Sequence, residues 1–98
     1  MSIELNGFTY RIKQMNAIET FALQATINMD TPKDAENAIK NALEHIEVNV
    51  GGDAWQCVKE QGREVYYPAG IENDYIAVSK LFKMFLEEVG KVFQKSNA

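Results

Sequence analysis

Hydrophobic and polar residues alternate over the first twelve positions of the chain. Apolar side chains occupy every second position over residues 3–5 and again over residues 8–12, and Asn6-Gly7 lies between the two runs. Asn-Gly favours a two-residue turn because both turn positions need a positive φ. The pattern predicts an N-terminal β-hairpin.

The segment "NAIETFALQATINM" changes to helical spacing. Asn16 is a suitable N-cap, and Glu19 follows three residues later at capping-box spacing. The main apolar stripe comprises Ile18, Phe21, Ala22, Ala25 and Met29. Leu23 and Ile27 lie off this stripe, on a different side of the predicted helix.

The segment "DTPKDAENAIKNALEHI" predicts a second helix. Thr31 is a good N-cap, Pro32 suits the first helical position and Asp34 suits the first turn. One narrow apolar stripe follows, formed by Ala35, Ala38, Ile39, Ala42, Leu43 and Ile46. We interpret this helix as a scaffold element with one buried side.

Residues 47–67 return to a strand-like period. Alternating residues flank a turn at Gly51-Gly52-Asp53, and Gln61-Gly62 marks a second turn. Residues 65–67 fit a third short strand. Either a short β-meander or an ordered loop is compatible with this pattern.

The closing helix is predicted from about Asn73 to about Gln94, and its apolar arc is wide. Its centre comprises Val78, Phe82, Phe85, Val89 and Phe93, flanked on one side by Tyr75 and Leu86 and on the other by Leu81, Val92, Ala77 and Met84. The arc spans roughly 200°, whereas a helix on one core needs little more than about 100°.

Glu88 falls inside the extra part of this arc, beside Leu81 and Met84. A carboxylate is rarely buried without a partner, so this edge resembles the rim of an interface. Leu23 and Ile27 show a weaker surplus of the same kind on the first helix. We therefore take six residues as candidate partner contacts: Leu23, Ile27, Leu81, Met84, Glu88 and Val92. In the alternative interpretation, the hairpin or residues 47–67 cover these side chains and the domain buries them itself.

Length and pattern together predict one domain over residues 1–98 with an α+β, mainly helical fold. Its elements are the N-terminal hairpin, three helices, and the meander or ordered loop before the long C-terminal helix. The formal net charge of −4 argues against nucleic acid as a partner, because phosphate binding needs a basic patch.

The sequence contains no recognisable catalytic or cofactor-binding motif. One histidine and one cysteine cannot form a zinc set, and Val50-Gly51-Gly52 lacks the lysine of a phosphate loop. We expect no enzyme activity, cofactor or metal. The first residues lack a signal-peptide pattern, and no run approaches the roughly 20 apolar residues of a membrane helix. We expect a cytoplasmic protein without a membrane partner.

Two segments resemble the tail assembly chaperones of long-tailed bacteriophages. "YRIKQMNAIETFAL" is similar to the family's opening strand, Asn-Ala junction and helix, with Phe21 as the aromatic residue one turn on. The region from Trp55 to the closing helix is similar to the family's later pattern of tryptophan, glycine turn, aromatic stretch and helix.

The resemblance implies a chaperone that binds the long, helical tape measure protein and keeps it soluble until the tail tube assembles. It also implies displacement by tail tube subunits, absence from the finished virion and, in many members, a longer form made by ribosomal frameshifting. A homo-oligomeric structural or adaptor protein, using the same helix surface for self-association, is the alternative.

Overall fold

A four-stranded antiparallel sheet and three helices make up the computed structural model. It describes the backbone of residues 2–96 and the side chains of residues 2–90. The strand order is β1-β2-β3-β4. The predicted α+β fold class is confirmed.

The N-terminal hairpin joins β1 (Ser2–Leu5) to β2 (Phe8–Ile12). Leu5 faces Phe8 across the turn, and Asn6 and Gly7 have φ values of 52° and 84°. Both turn residues are thus in the left-handed region that Asn and Gly adopt most easily. This prediction is confirmed.

The second half of the sheet consists of β3 (Ile46–Gly51) and β4 (Ala54–Cys57). β3 also pairs with β2, with Tyr10 opposite Val48, so the two hairpins form one sheet. Residues 65–67 form no third strand, and Lys59 and Tyr66 make an isolated bridge. The region is neither a full β-meander nor a loop alone: the β3–β4 hairpin is followed by an ordered loop.

The first two helices are α1 (Ala17–Ala25) and α2 (Pro32–Leu43). Asn16 and Thr31 cap them as predicted, since their side-chain oxygens accept from the backbone N–H of Glu19 (2.8 Å) and Asp34 (3.1 Å). Ile46 was assigned to the stripe of α2, which is wrong: it is the first residue of β3, although it is buried as expected.

The closing helix is α3 (Tyr75–Ser96), preceded by a 3₁₀ turn over Ile71–Asn73. Asp74 lies between the 3₁₀ turn and α3. Its Oδ1 accepts a hydrogen bond from the backbone N–H of Ala77, in the first turn of α3, at 3.0 Å. α3 contacts α1, α2, β2 and the 3₁₀ turn, which makes it the central element of the packing.

One face of the sheet packs against the helices. Pairing places Tyr10 and Val48 on that face, where both are fully buried in one cluster with Leu81 and Phe85 of α3. Arg11 and Trp55 lie on the other face, with the guanidinium carbon 3.8 Å from the ring centroid. None of the described helices is sufficiently long and apolar to cross a bilayer.

The core position of Leu81 gives a first prediction. Leu81→Ala should lower the free energy of unfolding by about 3 kcal/mol, because it removes a fully buried side chain and leaves a cavity. Leu86→Ala, the same change at an exposed position of α3, should cost about 1 kcal/mol or less. Urea unfolding of both variants measures the difference, and equal losses would contradict the placement of Leu81 in the core.

Candidate functional site

The buried side of α1 contains a polar residue, Thr20. Its hydroxyl donates to the carbonyl oxygen of Asn16 at 2.9 Å, one turn earlier. The polar atom is thereby satisfied within the helix, so Thr20 can be buried almost like valine. Thr20 and Leu23 are the buried residues of α1, which packs against α3.

This orientation leaves the main apolar stripe of α1 in solvent. We call Ile18, Phe21, Ala22 and Ala25 the α1 apolar face; all four side chains are exposed. Ile18 is 82% exposed and Phe21 65%. Scattered exposed apolar residues are common, but four on one helix face form a contiguous patch of the kind that marks interaction surfaces.

The candidate partner contacts predicted from sequence do not lie on the α1 apolar face. Leu23, Leu81 and Met84 are only 7%, 0% and 3% exposed and belong to the core, so the exposure expected of them is wrong. Ile3 and Leu5 of β1 pack against the core cluster that contains Met84 and line a surface pocket with it, so the hairpin covers the edge of α3 that the helical wheel left unpartnered. The self-burial alternative therefore describes these three residues.

The other three candidates differ from one another. Ile27 is half-buried and packs against the core cluster. Glu88 is half-buried on α3 and lines a surface pocket with Lys13, Gln14 and Thr20, so a carboxylate lies within the covered part of the arc. Val92 is a residue of α3 outside the described side chains.

The wide apolar arc of α3 is nevertheless not fully covered. The exposed edge lies on the opposite side from the predicted one: Tyr75 is 84% exposed, and Leu86 is also exposed. Phe82 is half-buried between this edge and the core, with its ring stacked 6.4 Å from that of Phe85. Exposed apolar surface is thus present on both helices, but not where it was predicted. On α3 it lies on the edge with Tyr75 and Leu86, and on α1 it lies on the face with Ile18 and Phe21.

The sequence pattern alone favours the opposite orientation of α1, because the more apolar side of an amphipathic helix usually faces the core. A signal for the correct assignment was available. Thr20 is β-branched, lies four residues after the N-cap, and falls on the same side as Leu23 and Ile27. A threonine with that local bond can be buried beside Leu23, with Ile27 half-buried on the same side.

A further apolar surface lies between α2 and α3. The α2–α3 groove has a volume of about 480 Å³ and an apolar floor formed by Ala35, Ile39, Leu43, Tyr66 and Val78. Tyr66, from the loop after β4, lines one side of the groove. Lys40 crosses from α2 to this loop, with Nζ 3.0 Å from Glu36 Oε1 and 3.1 Å from Glu64 Oε1. These hydrogen bonds from Lys40 lower the pKa of both glutamates.

A buried ion pair holds the loop in place. Lys59 is 3% exposed, and its Nζ lies 3.1 Å from Glu44 Oε1 and 2.8 Å from the carbonyl oxygen of Arg63. Glu44 Oε1 also accepts from the N–H of Gly62 at 3.4 Å. Because the ammonium is almost fully desolvated, its acceptors determine the path of residues 59–63.

Reactive groups are few among the described residues. No set of three or more His, Cys, Asp or Glu in this part of the chain is arranged to hold a metal ion. Cys57 is half-buried, and burial raises the pKa of its thiol, which disfavours the thiolate.

Comparison of the chain with protein-family models, with curated proteins and with solved structures finds no match in any of the three.

The buried ion pair gives a second prediction. Glu44→Gln should lower the free energy of unfolding by about 3 kcal/mol, because it leaves the Lys59 ammonium buried without its carboxylate. The control Glu47→Gln disrupts the more exposed Arg11–Glu47 pair and should cost less than about 1 kcal/mol. Thermal and urea unfolding provide the measurement. A Glu44→Gln protein as stable as the control would show that the pair does not hold the loop.

Proposed function

We propose that this chain is a tail assembly chaperone of a long-tailed bacteriophage, and that it binds the tape measure protein through the α1 apolar face. The observation that carries the proposal is the exposure of Ile18 and Phe21 on a capped helix. Phe21 is also one of the positions on which the resemblance to these chaperones depends.

The chemistry of the α1 apolar face suits a helical client. Ala22 and Ala25 lie on the same face as the larger Ile18 and Phe21, one turn further along α1, and small residues let a second helix approach closely. A client helix with an apolar stripe would dock along α1 by helix-on-helix packing. Covering that stripe would keep the tape measure protein from aggregating before the tail tube forms.

Release in this proposal comes from competition. Tail tube subunits that bind the same helical stripe of the tape measure protein would displace the chaperone as the tube grows. The net charge of −4 would keep the chaperone soluble while it exposes an apolar face.

A homo-oligomeric structural or adaptor protein is the second candidate. The α1 apolar face is uncharged, so two copies could pair through it across a two-fold axis. A purified chain that is a stable dimer and has no affinity for the tape measure protein would favour this alternative.

The proposal predicts a separation of binding from stability. Ile18→Ser combined with Phe21→Ser should weaken binding of the tape measure protein at least about tenfold, because it removes the main apolar contacts. The unfolding midpoint should remain close to that of the parent, since both side chains are exposed. Co-purification and titration calorimetry with the tape measure protein of the same phage measure binding.

The matched control is Tyr75→Ser combined with Ile76→Ser, which removes two exposed apolar side chains at the start of α3. It should bind like the parent. Equal loss in both double variants would point to general hydrophobicity and not to α1. If the parent chain does not bind the tape measure protein, the proposed function is wrong. The gene neighbourhood is an independent check: the proposal expects a very long helical reading frame just downstream.

A further inference from the structure

One edge of α3 faces solvent along most of the described part of the helix. We define the α3 edge by five residues that fall within an arc of roughly 80° at 3.6 residues per turn: Tyr75, Ser79, Phe82, Leu86 and Gly90. Tyr75, Ser79 and Leu86 are exposed, and Phe82 and Gly90 are half-buried. The row is about 22 Å long at 1.5 Å per residue. A second helix can therefore pack along it.

The glycine in this row is not required by the packing of the chain itself. Gly90 lies inside α3, where glycine is a poorer helix former than alanine. A Cβ at this position would meet no described atom within 4 Å, so the neighbours of α3 leave room for a side chain. Close approach of a second helix, in contrast, favours a residue without a side chain.

The charges beside the α3 edge are ordered along the helix. Lys80 and Lys83 come first and Glu87 follows, and all three are exposed. None of them makes an ion pair within the described side chains. Two parallel copies of α3 would place like charges side by side, whereas two antiparallel copies bring the lysines of each close to Glu87 of the other.

Antiparallel pairing also matches the sizes of the residues in the row. An antiparallel pair centred just after Phe82 brings Tyr75 of each copy level with Gly90 of the other, and Ser79 level with Leu86. Each large side chain then faces a small one. Tyr75 is 84% exposed, so most of its ring is available for such a contact.

We propose that a second copy of this chain covers the α3 edge, with the two α3 helices antiparallel across a two-fold axis. One pair of helix faces is smaller than the standard interface of about 1,600 Å², so the dimer is reversible, with a Kd in the micromolar range. The α1 apolar face takes no part in this contact. The inference therefore stands or falls independently of the tail-chaperone proposal, and it differs from self-association through α1.

Sedimentation equilibrium of the full-length chain over a concentration series measures the dimer. Leu86→Asp should weaken dimerisation at least about tenfold, because it places a carboxylate in the contact. The matched control Val50→Asp changes an equally exposed apolar residue of β3 and should dimerise like the parent. A parent chain that stays monomeric, equal losses in both variants, or loss of the dimer on Phe21→Ser would each overturn the proposal.

Gly90→Leu separates pairing from folding, because its expected effects are opposite in sign. At a dilution where the chain is monomeric, the unfolding midpoint should rise, since leucine is the better helix former and the space around the position is open. Dimerisation should weaken at least about tenfold, because the new side chain occupies the place of Tyr75 from the second copy. A dimer as tight as that of the parent would refute the close approach.

Disulfide trapping in a Cys57→Ser background tests the orientation. Ser79→Cys and Leu86→Cys chains, one of them carrying a size tag, should form the mixed disulfide faster than either chain links to itself. Antiparallel pairing brings these two positions level, whereas parallel pairing brings each position level with its own copy. Faster self-linking would therefore contradict the antiparallel dimer.

Discussion

The packing of α3 against the inner face of the sheet is the interaction on which the other elements depend. Leu81 and Phe85 share one buried cluster with Tyr10 and Val48. α3 also contacts α1, α2 and the 3₁₀ turn, so its rotation about its own axis determines what each neighbour can cover. A domain of this size has a small core, and one correctly seated helix accounts for much of its stabilisation.

The position of α3 accounts for two exposed apolar surfaces, its own edge with Tyr75 and Leu86 and the α1 apolar face. The hairpin covers the edge of α3 that contains Met84, and the opposite edge with Tyr75 and Leu86 is left exposed. α1 packs on α3 through its narrower stripe, and the hydroxyl of Thr20 on that stripe is satisfied inside the helix. The cost of burying a threonine is therefore low, and the larger stripe with Phe21 remains in solvent.

Polar groups organise the region beside α2 in a comparable way. The Lys59–Glu44 pair fixes the loop after β4, and the Lys40–Glu64 bridge joins that loop to α2. Together they keep Tyr66 at the side of the apolar floor, with its hydroxyl 3.1 Å from Glu64 Oε2. The groove thus depends on ion pairs at its wall as well as on apolar packing at its floor.

The amino-acid sequence by itself determined the local features of this protein. The Asn6-Gly7 turn, the caps at Asn16 and Thr31 and the width of the apolar arc of α3 follow from backbone preferences and residue spacing, which act over a few residues. Only the tertiary structure decided which half of each amphipathic helix is covered. Helical periodicity shows that a surplus exists, but burial is settled by the neighbours that the topology supplies, here the hairpin beneath Met84 and α3 against Leu23.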